Sequence, residues 1–224
     1  MLKSRHLLII FLLWLSPTIL SAQENELRTG LRTGHNAAFG RFTAISLETL
    51  QYFSDDISLS GGLQYNSIGK STLEVRPDYH MHLDWGTISA EALFHYSNMA
   101  SINIFAAGVG IGLSFDRIDA KLGYYYRNYG SKGGWIAEPF NLYYELRIHF
   151  LQKIEDWDLQ LAITNNETFE LERHYQPSFI AEGFYNLNSK FGLSFGIGCK
   201  PAGMFNMSAD YYQTFLKTGV CYRW

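Results

Sequence analysis

The stretch TLEVRPDYHMHLDW, residues 72–85, alternates between polar and apolar side chains over its whole length. Its polar set is Thr72, Glu74, Arg76, Asp78, His80, His82 and Asp84. Successive side chains of a β-strand point to opposite faces, so this stretch is a strand with one charged face and one apolar face. A soluble sheet seldom sustains so long a charged row. A closed barrel with a watery lumen and a lipid-facing exterior accounts for both faces.

The same alternation recurs along the chain and predicts an all-β fold, a closed antiparallel transmembrane β-barrel. We count about 12 strands, with 10 and 14 as alternatives. Further polar rows add to the predicted lumen lining Glu91, Asp119, Lys121, Arg127, Glu145, Arg147 and His149. Two strands instead place small residues on the inner face: Gly108, Gly110, Gly112 and Ser114 on one, and Gly192, Ser194, Gly196 and Gly198 on the other. We therefore expect long side chains from one part of the wall to reach into the space beside these glycines.

Breaks in the alternation separate short turns from longer loops. The turns at 54–56, 84–86, 116–117, 152–155 and 188–189 are expected on the periplasmic side, with both chain termini. The longer interruptions at 130–139, 165–177 and 200–210 are predicted to be external loops. The first strand, 26–40, alternates least clearly. Pro77 removes a backbone donor from its strand, which suggests a bulge there.

The first residues have the layout of a secretory signal peptide. Lys3 and Arg5 precede an apolar run at 7–15, and Ser21 and Ala22 provide small residues for cleavage. A membrane anchor is the competing interpretation, but the run is shorter than the ~20 residues that a spanning helix needs. The predicted organisation is a signal peptide at 1–22 and a barrel at 23–224, located in the outer membrane.

The net charge of −3 offers no basic field for nucleic acid, so that class of partner is excluded. The last eight residues, KTGVCYRW at 217–224, resemble the C-terminal assembly signal of bacterial outer-membrane barrels. The resemblance implies contact with the barrel-assembly machinery during insertion and with outer-membrane lipid afterwards. The two cysteines have opposite parity, with Cys199 outward and Cys221 inward. Because bridged side chains share a face, we expect two free thiols.

The motif His95-Tyr96-Ser97-Asn98 resembles the active-site motif of outer-membrane phospholipase A and of lipid A 3-O-deacylases. The resemblance implies that His95 is a general base and that Ser97 is a nucleophile. A third group is needed to orient the histidine, and Asn103 is the candidate on the following strand. Those enzymes turn the pair toward lipid, whereas the alternation here places His95 and Ser97 in the lumen.

Three classes of function remain open. The first is a narrow pore or binding barrel for small polar or charged solutes, with selectivity set by the charged lining. The second is the lipid hydrolase of the His95 motif, and the third is a structural or assembly partner in the envelope. His80 and His82 share a face between Asp78 and Asp84, which resembles a metal site, but ion pairs across strands satisfy the same residues. We predict neither a metal nor a cofactor.

Overall fold

The computed structural model describes residues 24–99, 102–131, 134–150, 156–171, 176–201 and 211–224. The predicted signal peptide, 1–22, lies outside this range. Within it, twelve strands form one closed antiparallel barrel, and two short strands form a separate hairpin. The wall strands are β1 (Glu24–Asn36), β2 (Gly40–Ser54), β3 (Ile57–Asn66), β4 (Lys70–Leu83), β5 (Gly86–Met99), β6 (Ile102–Phe115), β7 (Ile118–Ser131), β8 (Gly134–His149), β9 (Trp157–Thr164), β12 (Ser178–Asn186), β13 (Phe191–Pro201) and β14 (Tyr211–Arg223). The hairpin strands are β10 (Asn166–Glu167) and β11 (Glu170–Leu171).

The barrel closes through β1, the strand whose sequence pattern was weakest. β1 pairs with β2 on one side and with β14 on the other, over eleven or more residue pairs each. Its outward positions include Thr29 and Thr33, which blur the apolar row. Backbone pairing on both sides nevertheless satisfies its hydrogen bonds, as a strand in lipid requires. The predicted count of about 12 strands and the closed antiparallel fold are confirmed.

The outer wall is apolar over its middle. Large outward side chains such as Ile111, Phe140 and Ile197 have 59–84% of their surface exposed. Exposure of this kind around a closed sheet is the lipid-facing band of a membrane barrel. No helix among the described residues has the length and apolar character needed to cross a bilayer.

Two of the predicted external loops differ from the structure. The prediction of an external loop at 130–139 is wrong, because β7 and β8 continue through most of this range and pair as far as Ser131 and Gly134. The register of β7 and β8 shifts between Tyr125 and Arg127, where a bulge accommodates the residues around Pro139 on β8. Both strands therefore continue beyond the proline. The 165–177 loop is also wrong at its start, where β10 and β11 fold into the lumen. Most of the third predicted loop, 202–210, lies outside the described residues.

Two smaller expectations have clear outcomes. The bulge expected at Pro77 is absent: the β4–β5 register is the same at Val75 and at Asp78, on either side of the proline. Cys199 is exposed on the outer wall and Cys221 is buried on the inner side, and both thiols are free as predicted.

Candidate functional site: the barrel lumen

One wall of the lumen is built around a tyrosine that lies across two glycines. Glu91, Gly110, Gly123 and Tyr143 are paired in register on four neighbouring strands, β5 to β8. The Tyr143 hydroxyl donates a hydrogen bond to Glu91 Oε1 over 2.9 Å. A Cβ atom added to Gly110 would lie 1.9 Å from that hydroxyl oxygen, and one added to Gly123 would lie 2.3 Å from the ring. The expected use of glycine as space for a long side chain is therefore found here.

Beside this row, Leu93, Ala106 and Tyr125 are fully buried and fill the same wall with apolar atoms. Leu93 faces inward with the polar residues of β5. It is therefore an exception to the alternation of polar and apolar residues along this strand. This part of the lumen is packed rather than open.

Glu74 and Glu91 anchor a layer of ion pairs across β4, β5 and β7. The Glu74 carboxylate lies 2.7 Å from Arg76 and 2.9 Å from His95 Nδ1. Glu91 lies 2.9 Å from the Lys121 ammonium, which is 3.9 Å from Asp78. Both glutamates are nearly inaccessible to solvent, and buried carboxylates of this kind require such partners.

A second layer joins β8, β12 and β14. Arg147 contacts Glu145 at 3.3 Å and Glu182 at 3.4 Å. Glu182 also lies 3.2 Å from the Lys217 ammonium, so one carboxylate links two walls. Glu182 and Lys217 were not among the predicted lining residues, although both have inward parity on their strands.

The chain leaves the wall after β9 because of Asn165. Its side-chain amide donates to the Leu142 carbonyl over 2.8 Å and accepts from the Tyr144 amide over 2.7 Å. One side chain thus occupies the hydrogen-bonding groups that a longer β9 would use. The following residues, 166–171, are free to turn inward as the β10–β11 hairpin, which we call the inner hairpin.

The inner hairpin is held on one side by basic residues of the wall. Glu167 lies 3.2 Å from Arg32 and 2.5 Å from Lys217. Glu170 lies 3.4 Å from Arg32 and 2.6 Å from Lys200. These five residues come from β1, β13, β14 and the hairpin, far apart in sequence. None of them was among the predicted site residues.

The other side of the inner hairpin contacts β3 and β4. Arg76 donates to the Asn166 side-chain oxygen over 2.9 Å, and the Phe169 amide donates to Glu74 Oε2 over 3.2 Å. The Phe169 ring is 1% exposed and packs against the backbone at Gly62, where an added Cβ would lie 2.7 Å from it. The hairpin therefore spans the lumen from the β13–β14–β1 wall to the β3–β4 wall.

A cavity of about 430 Å³ lies inside the barrel, bounded on one side by the inner hairpin. Its charged lining contains six basic and seven acidic side chains, so neither sign dominates. The basic set is Arg28, Arg32, Arg76, Lys121, Arg147 and Lys217, and the acidic set is Glu48, Glu74, Asp78, Glu91, Glu145, Glu167 and Glu182.

Of the remaining predicted lining residues, His80 also borders this cavity, whereas the others lie outside its lining: His82, Asp84, Asp119, Arg127 and His149. His80 hydrogen-bonds Ser58 over 2.9 Å, and His149 lies between two carboxylates, 2.9 Å from Asp119 and 3.1 Å from Asp158. His82 contacts the Thr87 hydroxyl and the Asp55 carbonyl, and Asp84 is exposed in the turn after β4. Arg127 pairs with Glu138 over 2.6 Å at the opposite end. Among the described residues no group of three or more His, Cys, Asp or Glu side chains is arranged to hold a metal ion.

The structure brings His95 and Ser97 to one face and leaves Asn103 on the other. Both His95 and Ser97 are buried on the lumen side of β5, at 3% and 2% exposure. Asn103 has outward parity on β6, where its Oδ1 accepts hydrogen bonds from Tyr96 and Asn98. The group that orients His95 is Glu74, on the preceding strand. The sequence-based candidate, Asn103, lies on the following strand, so Glu74 was not expected in this role.

Twelve antiparallel strands, an apolar exterior and a charged interior define a small transmembrane β-barrel of the outer-membrane type. Among solved structures, the chain is similar to the KdgM porin in complex with disordered oligogalacturonate, with a TM-score of 0.58 and 13% identity over 88% of this chain and 98% of that chain. It is also similar to the NanC porin, with a TM-score of 0.55 and 13% identity over 88% and 98%. The translocator domain of the autotransporter NalP from Neisseria meningitidis has a TM-score of 0.56 and 10% identity over 97% and 96%.

At these identities the likeness concerns the fold alone. It is the fold of bacterial outer-membrane barrels, which agrees with the location expected from the sequence. No protein-family model matches the sequence, and no curated protein matches it.

Proposed function

We propose that this chain is a narrow channel or binding barrel for small polar or charged solutes. The observation that supports the proposal best is the charged cavity of about 430 Å³, enclosed by a complete β-wall. A cavity of this size suits a small solute, since ligand sites commonly have volumes of about 300–1,000 Å³. The lining offers such a solute positive side chains that donate hydrogen bonds and negative side chains that accept them.

The inner hairpin sets the width of the path. Barrels of about twelve strands lie between small filled barrels and the wide aqueous channels of sixteen or more strands. A segment folded into such a lumen narrows it further. The proposed channel is therefore selective for small solutes, and its conductance is low in the conformation described here.

The membrane setting of the proposal rests on both ends of the chain. We propose that residues 1–22 direct export and that the segment 217–224 is recognised by the barrel-assembly machinery. After insertion, the apolar outer wall contacts outer-membrane lipid. The KdgM porin structure, a complex with disordered oligogalacturonate, supports a polar solute as the class of cargo.

The test is single-channel conductance of the refolded protein in a planar bilayer, with Arg76→Gln and Arg147→Gln beside it. Each substitution removes one positive charge from the lumen, so we expect steady conductance whose preference shifts toward cations. Arg117→Gln is the matched control, because it removes the same charge from an exposed turn outside the lumen. A correctly folded barrel that stays silent would contradict the channel, and an equal shift in the control would contradict the luminal path.

One contact favours a second candidate, hydrolysis of lipid at Ser97. His95 is buried and hydrogen-bonded to Glu74, as a general base in a serine hydrolase would be oriented. Lipid would have to enter the lumen to reach the pair. Release of fatty acid from phospholipid vesicles by the wild type, and its loss in Ser97→Ala, would support this candidate over the channel.

A further inference from the structure

Three basic residues on adjacent strands form one cluster near the inner hairpin. Arg32 on β1, Lys200 on β13 and Lys217 on β14 all point into the lumen. The side chains of Arg32 and Lys200 are 6% and 0% exposed, and the Lys217 side chain is 28% exposed. Arg32 also lies 3.7 Å above the centre of the Phe215 ring, which fixes its position. Buried cations of this kind are strongly unfavourable unless anions neutralise them.

The hairpin supplies two carboxylates to this cluster. Glu167 and Glu170 are paired opposite each other in the hairpin, and both contact Arg32 and Lys200. Among the described residues, the carboxylates that contact Arg32 are these two alone. Arg32 thus has its anionic partners on the inner hairpin, whereas Lys217 lies between Glu167 of the hairpin and Glu182 of the wall.

The hairpin itself has little intrinsic stability. It consists of two residue pairs, and an isolated two-stranded hairpin is at best marginally stable in water. Its turn contains Phe169 with a φ of 68°, a left-handed conformation that is unfavourable for a bulky residue. The hairpin therefore keeps its place through contacts with the wall. An anion that replaced its carboxylates would remove the strongest of those contacts.

From this geometry we infer that Arg32, Lys200 and Lys217 form a binding site for a small solute with two or more carboxylates. In the solute-free barrel, Glu167 and Glu170 occupy that site. Binding of the solute displaces the inner hairpin, because both compete for the same three cations. The inference deepens the proposed function and rests on it for the physiological role of the site.

Binding is tested by titration calorimetry on the refolded barrel in detergent micelles, with succinate and butyrate as the probes. Both have four carbons and differ in having two carboxylates or one. We expect succinate to bind at least about tenfold more tightly, because only it replaces both hairpin groups. Lys217→Gln should weaken succinate binding by about tenfold. The exposed Arg117→Gln removes the same charge elsewhere and should leave the affinity unchanged.

The competition is tested by removing the internal anions. Glu167→Gln with Glu170→Gln should tighten succinate binding by about tenfold or more, since apparent affinity rises with the fraction of barrels whose site is vacant. Thr168→Ala, between the two glutamates, is the matched control and should leave the affinity for succinate unchanged. A double variant that binds succinate no better than the control would overturn the competition.

The wild type provides a second measurement that does not depend on any variant folding. Hydrogen–deuterium exchange of the Phe169 amide, which donates to Glu74, should become faster in succinate and remain unchanged in butyrate. Absence of succinate binding, or binding without faster exchange, would refute the inference. Because binding is measured in micelles, a barrel that binds succinate but conducts no ions contradicts only the channel. A conducting barrel without preference for succinate contradicts only this site.

Discussion

The Tyr143 row allows a quantitative prediction, since its two glycines leave the ring no spare room. In Gly110→Ala, the new Cβ would lie 1.9 Å from the Tyr143 hydroxyl oxygen and 2.6 Å from the adjacent ring carbon. The ring must move away, and its hydrogen bond to Glu91 is lost. A hydrogen bond to a charged group contributes about 1.5–3 kcal/mol. Alanine in a strand regains roughly 0.5–1 kcal/mol relative to glycine. The net expected loss in the free energy of unfolding is about 0.5–2.5 kcal/mol.

The control for this prediction is Gly192→Ala, another inward glycine. The nearest atoms to its added Cβ are 3.5 Å away, an ordinary contact, so we expect no loss of stability. Both variants are measured by urea unfolding from lipid vesicles, followed by the fluorescence of the four tryptophans in residues 23–224. In a Tyr143→Ala background, Gly110→Ala should cost much less, because no ring remains to be displaced and the nearest remaining atom given, the Leu122 carbonyl oxygen, is 3.1 Å from the new Cβ. Equal stabilities of Gly110→Ala and Gly192→Ala, or an unchanged cost without Tyr143, would refute the reasoning.

Three further predictions concern the outer wall, the thiols and the hydrolase motif. Phe195→Ala uncovers the backbone at Gly183, which its ring covers on the lipid side, and should lower the free energy of unfolding by about 1 kcal/mol in the same urea assay. A membrane-permeant maleimide should label Cys199 in the folded barrel and Cys221 only after unfolding, as mass spectrometry of the peptides would show; equal labelling would contradict the assigned faces. Ser97→Ala should leave both the conductance and the rate of fatty-acid release from vesicles unchanged. If the wild type releases fatty acid and the variant does not, the result would favour lipid hydrolysis at Ser97 over the channel.

The sequence was sufficient to predict the wall because the wall obeys a local rule. In a membrane barrel each strand residue faces either lipid or lumen, so the period of two assigns a face to every residue once one is known. On that basis Glu145 and Arg147 are predicted to face the lumen, and both belong to the cavity lining. β1 was harder, because Thr29 and Thr33 face lipid without being apolar. Its pairing with β14 depends on closure of the whole barrel, which no local pattern expresses.

The inner hairpin could not be predicted in the same way. Residues 165–171, NNETFEL, have the polar composition of an external loop, and nothing in their order distinguishes a loop in water from one inside the barrel. Their position depends on Arg32 and Lys217, which are 135 and 50 residues from Glu167 in the chain. Parity alone could have identified Lys200 and Lys217 as inward cations. The surplus of such cations on three adjacent strands was the available signal that an anion lies between them.

The two sides of the lumen differ in where their charged side chains find partners, and this difference suggests separate roles for the two sides. On the β5–β8 side, Glu91 has its partners on the wall itself, in Lys121 and Tyr143, so this side is complete without the hairpin. On the β13–β14–β1 side, Arg32 and Lys200 are neutralised by a segment that is not part of the wall. The proposed selective channel would combine a side whose charges are paired within the wall with a side that needs an anion. In the proposed channel, the first side fixes the shape of the cavity, and at the second side an anion of suitable charge would replace the hairpin.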